Sequence, residues 1–100
     1  MLGALVVSLV SGLSVTVDSL TIDHRQVARV IMRVTSAGPN AYKSVYVNCA
    51  FMDAAGKAVQ VGGALVSNLN PGETAFGSAA VDASELAIAS ASCRIGLTQP

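Results

Sequence analysis

Apolar side chains return at every second position through most of this chain. Val45, Val47, Cys49 and Phe51 alternate with Ser44, Tyr46, Asn48 and Ala50. That is the period of a strand with one face in a core, and it places Cys49 inward. Ala28, Val30, Met32 and Val34 make one face of a strand over residues 27–35, and Arg29, Ile31 and Arg33 the other. In residues 89–97, Ala91, Cys93, Ile95 and Leu97 are expected inward, with Ser90, Ser92, Arg94 and Gly96 outward. Leu13, Val15 and Val17 alternate with Ser14, Thr16 and Asp18, and then the rhythm slips to Leu20 and Ile22. A slip of one residue turns side chains to the other face, so a bulge is expected near Asp18-Ser19.

Turn chemistry separates these runs. Asp23-His24-Arg25 reads as one turn, and Ser36-Ala37-Gly38-Pro39-Asn40 as a loop. Asp53-Ala54-Ala55-Gly56 fits a hairpin built on a type I turn, with Gly56 in the left-handed position. The return strand covers residues 58–66, and Gly62-Gly63 in its middle predicts a further bulge. Asn70-Pro71-Gly72-Glu73 is a type II signal, Pro71 presetting φ and Gly72 accepting a positive one. Residues 74–81 read as a strand rich in small side chains. Asp82-Ala83-Ser84-Glu85 resembles a helix start, with room for about one turn.

The tally is about seven strands, no long helix and a turn roughly every 10 residues, which predicts an antiparallel sandwich or barrel. With 100 residues the chain is expected to be a single β-sandwich domain over 1–100. Residues 1–12 are either an extra N-terminal strand or the remnant of a signal segment; a membrane anchor is a third reading. Residues 1–17 carry no charged side chain, yet they are short and rich in Ser and Gly for a span, which needs about 20 apolar residues.

Composition narrows the function. Six basic and six acidic residues cancel, so no basic stripe marks a nucleic-acid partner. Arg25, Arg29 and Arg33 are the nearest approach to one, sharing a strand face with Asp18 and Asp23 close enough to offset them. Trp is absent and aromatics are few, so the core is built from aliphatic side chains, which suits thin sheet-on-sheet packing. His24 stands alone in a turn, without the partners that catalysis requires. One His and two separated Cys give no zinc spacing, and Asp53-Ala54-Ala55-Gly56 lacks the alternating ligands of a calcium loop. Gly56-Lys57 is not a phosphate-binding loop. No cofactor, metal site or catalytic group is therefore expected. Cys49 and Cys93 are either a disulfide or two buried thiols; bonded, they would close about 45 residues and contribute about 4 kcal/mol.

From Arg33 onward the chain resembles the FxLYD family. The resemblance rests on VTSAGPNAYKSV, on CAFMDAAGKAV running into Asp-x-x-Gly-Lys, and on VSNLNPGETAF. The naming motif falls on Cys49-Ala50-Phe51-Met52-Asp53, where Asp53 agrees and the other defined positions carry different residues. What the resemblance implies is an immunoglobulin-like or fibronectin-III-like β-sandwich, bacterial or archaeal and extracytoplasmic, without a family active site to carry over. The expected function is a non-catalytic module that binds or presents a protein or a cell-envelope component. The alternative is a structural subunit that self-associates, as a homo-oligomer, through its apolar N-terminal strand.

Overall fold

A computed structural model describes residues 8–10, 12–84 and 86–100. Within them the chain is all-β. Its strands are β1 (Ser8–Val10), β2 (Leu13–Ile22), β3 (Val27–Ser36), β4 (Tyr42–Met52), β5 (Ala58–Leu69), β6 (Thr74–Asp82) and β7 (Ser90–Gln99). β1 is a three-residue strand, and the rest are long. They form two antiparallel sheets, one in the order β1-β2-β3-β6 and one in the order β5-β4-β7.

The two-residue rhythm decides what lies between the sheets. Ala28, Val30, Met32 and Val34 of β3 are fully buried, as are Val45, Val47 and Phe51 of β4. Leu13 and Val15 of β2, Ala64, Val66 and Leu69 of β5, Ala79 of β6 and Ile95 of β7 belong to the same core. Where β5 passes β6 the sheets close on small residues. A methyl group built on Gly77 would sit 3.0 Å from Met32 Sδ and 3.5 Å from Ala64 Cβ. Met32 thus fills the space that a side chain on β6 would otherwise claim, and the aliphatic core stays thin.

Two hairpin loops share one hydrogen-bond plan. The Asp53 amide donates to the Lys57 carbonyl, the Gly56 amide to the Asp53 carbonyl, and Asp53 Oδ1 accepts from the Ala55 and Lys57 amides. The loop from Asp23 to Val27 repeats this, with Asp23 Oδ1 accepting from the Arg25 and Val27 amides. The left-handed position is Gly56, at φ 82°, in the first loop and Gln26, at φ 63°, in the second. Only the first carries a glycine, the residue without a Cβ penalty there. The Asn70–Glu73 turn also forms as expected. The Glu73 amide donates to the Asn70 carbonyl at 3.0 Å, and Gly72 has φ 80°.

The bulge of β2 lies where the rhythm slips, between Val17 and Ser19. Four expectations are corrected. Gly62-Gly63 is not a bulge: the register runs through it, Cys49 opposite Gly62 and Asn48 opposite Gly63, and the irregularity falls at Phe51/Met52. Glycine there answers close approach instead, because a Cβ on Gly63 would lie 2.8 Å from Tyr46 Oη. Leu97 points outward. β7 carries an extra residue between the partners of Val45 and Val47, so Gly96 and Leu97 share the place opposite Tyr46 and the alternation inverts. Arg25 lies in the turn before β3, so only Arg29 and Arg33 share that strand face. Finally, no helix forms among the described residues around Asp82. Its carboxylate accepts from the Ser84 amide and hydroxyl, the Leu86 amide donates to the Ala83 carbonyl, and an irregular segment follows. Glu85 of that signature lies outside the described residues, as do residues 1–7 and 11 of the N-terminal strand or signal segment.

Candidate functional site

The residues singled out from the sequence occupy separate places. Cys49 and Cys93 are opposite each other on β4 and β7 and are bonded, with S–S 2.06 Å and 44 residues of separation. The reading as two free thiols is thereby overturned. Asp53 and Gly56 build the β4–β5 loop at one end of the sheets, and Pro71 and Gly72 the β5–β6 turn at the other. His24 is exposed in its turn. Among the described residues no group of three or more His, Cys, Asp or Glu could hold a metal ion. Asp82 is held below the ordinary carboxylate value of 3.8 by the Ser84 hydroxyl and then the Ser84 amide.

A different feature gathers polar and apolar side chains on one surface. It is the outer face of the β5-β4-β7 sheet, and it carries an open groove of about 730 Å³. The strand register arranges it in rows. One row is Gly63, Asn48 and Arg94; the next is Val61, Ala50 and Ser92. Both rows line the groove, and the Cys49–Cys93 pair lies between them. Beyond the first row stand Leu65, Tyr46 and the outward-turned Leu97. Small residues make the floor low, and larger ones make its wall.

The large apolar residues in the groove and beside it are exposed. Leu97 is 80% exposed, Val61 70%, Leu65 60% and Tyr46 44%. Single exposed apolar residues are ordinary, whereas several on one face mark a contact surface. Tyr46 reaches across the sheet, its hydroxyl beside the bare Cα of Gly63. The Asn48 amide extends toward Gly96, where a Cβ would come within 2.5 Å of Nδ2. The two glycines therefore let two long side chains lie low over the neighbouring strands.

The charge of the face is one-sided. Strands β4, β5 and β7 contain Lys43 and Arg94 and no carboxylate. Arg94 makes no ion pair among the described residues; the pair found there joins Arg33 to Asp18 in the other sheet, Nε to Oδ1 at 2.7 Å. The sequence marks Tyr46, Asn48, Ser92 and Arg94 as outward. It does not signal that they converge, because β4 and β7 are far apart in the chain. No family model matches this chain, and no characterised protein or solved structure matches it either.

Proposed function

We propose that this chain is a non-catalytic, extracytoplasmic binding module of immunoglobulin-like type, akin to the FxLYD domains, whose working surface is the outer face of β5-β4-β7. The observation that carries this reading is the collection of exposed Tyr46, Val61, Leu65 and Leu97 around a groove on one sheet face. Leaving them exposed to water costs about 25 cal/mol per Å² of apolar area, and a partner that covers them recovers that. The groove's polar lining is an amide, a hydroxyl, a phenol and a guanidinium, with neither carboxylate nor imidazole beside them. Such a set recognises a ligand and supplies no general base.

Strand order supports the immunoglobulin-like part. In constant domains A, B and E are neighbours in one sheet, and C and F in the other. Here β2-β3-β6 and β4-β7 take those places, and β5 lies beside β4 as C′ does in variable domains. The disulfide differs, since in antibody domains it joins the two sheets, whereas Cys49–Cys93 lies within one. A disulfide fits an oxidising compartment outside the cytoplasm. The test is retention on immobilised protein. Wild type should capture material from an envelope and culture-medium extract of the native organism, and Leu65→Asp/Leu97→Asp should not. Equal retention by both forms would remove this face from the function.

A further inference from the structure

We propose that the β5-β4-β7 face docks an apolar protein segment that carries a carboxylate, and that Arg94 receives this carboxylate. The proposal rests on the reading of that face as the binding surface and specifies its partner. The argument begins with charge. Arg94 is exposed in the groove, has no ion pair among the described residues, and shares its sheet with no acidic side chain. Across the sandwich the basic Arg33 has Asp18 for company. Arg94 is therefore a cation whose counterion the strands around it do not supply. A guanidinium presents a planar fork that matches a carboxylate with two parallel bonds.

The surroundings choose a protein over a saccharide. The same sheet face exposes one aromatic ring, Tyr46 on the adjoining β4, and three aliphatic side chains, Leu97 on β7 and, beyond β4, Val61 and Leu65 on β5. Tyr and Arg are the anchors enriched at the centres of protein interfaces, and acidic and Lys side chains are depleted there. Aliphatic side chains add area that sugar hydroxyls do not satisfy. A second copy of the same face fits less well. Two copies related by a two-fold axis would contribute no carboxylate from this sheet, so each Arg94 would be covered unpaired. The partner is then a different surface, apolar around one acid.

The scaffold is built to hold that geometry. Arg94 and Ser92 flank Cys93, and Asn48 and Ala50 flank Cys49, so the disulfide ties together the two strands that carry the groove. The cation and the floor keep their spacing before a partner arrives, which lowers the ordering cost of binding.

Selection from a random dodecapeptide phage library on the disulfide-intact protein tests this. Enriched peptides should combine Leu, Ile, Val or Phe with one Asp or Glu. Their affinity should fall at least tenfold with Arg94→Glu, fall less with Arg94→Lys, and return on Arg94→Glu when the peptide acid becomes Lys. Enriched peptides that Leu97→Asp releases and Arg94→Glu leaves unchanged would overturn the carboxylate while the binding face stands. Peptides indifferent to Leu97→Asp, or no enrichment at all, would overturn both. Three parallel arms read other occupants: sedimentation for self-association lost in Leu97→Asp, phosphatidylserine vesicles, and polygalacturonate. A positive result in any of them that Arg94→Glu or Leu97→Asp abolishes would also overturn the proposal.

Discussion

The two outer faces of this sandwich differ in how their charges and apolar groups are used. On the β1-β2-β3-β6 sheet, Asp18 and Asp82 balance Arg29 and Arg33, and the Arg33–Asp18 pair crosses from β3 to the bulge of β2. Its exposed Ile31 and Phe76 stand among polar cross-strand neighbours, Ser19 and Ser78 for the first and Arg33 for the second. On β5-β4-β7, Leu65, Tyr46 and Leu97 adjoin one another, Val61 stands beyond the Asn48 row, and neither Lys43 nor Arg94 has an acid in its sheet. The strands of the first sheet balance their own charges, and those of the second do not. An apolar surface with unbalanced charge is the one on which a function is sought.

The comparison breaks first at the disulfide, which only the three-stranded sheet has. Cys49→Ala/Cys93→Ala should lose about 4 kcal/mol of stability, the loop-entropy value for a closure of this length. Urea denaturation measures it; a loss under 1 kcal/mol would mean that β4 and β7 hold together without the bond. The middle effect contrasts the two guanidinium groups. Asp18→Asn removes a half-exposed pair and should lose about 0.2–1 kcal/mol, shrinking in high salt. Arg94→Gln has no pair to remove and should stay within about 0.5 kcal/mol. Equal losses would mean that Arg94 does work within the fold. The smallest effect is the acid titration of Asp82 in the four-stranded sheet. Asp82, at the end of β6, has its folded pKa below the unfolded value of 3.8, the Ser84 hydroxyl and amide being the cause. Its contribution is complete above about 3.8 and fades as pH falls through the lower folded value. The stability gap between wild type and Asp82→Ala should accordingly narrow in acid. A gap that is constant with pH would show that the Ser84 bonds do not favour the ionised form.

Much of the architecture is legible in the amino-acid sequence. The inward faces of β3 and β4, the Asp53–Gly56 loop, the Pro71-Gly72 turn and the bulge after Val17 all follow from alternation and turn chemistry. Each of these is set by residues close together in the chain. The inversion at Gly96-Leu97 is not legible there, because the extra residue of β7 is defined by pairing with β4 across about 50 positions of chain. Gln26 escaped for a local reason: it takes a left-handed conformation without the glycine that usually announces one. The groove divided likewise. Alternation sends Tyr46, Asn48, Ser92 and Arg94 outward, but their meeting on one surface needed the order β5-β4-β7.

What the amino-acid order determined by itself was the strand period, the turns and the aliphatic interior, since steric preference and side-chain alternation act over a few residues. Which strands became neighbours was decided only by the assembled molecule. That choice bonded Cys49 to Cys93, turned Leu97 to solvent and left Arg94 facing outward without an acid in its sheet. The reason is that pairing between distant strands depends on how two whole sheets cover one another, a property that no short stretch of chain contains.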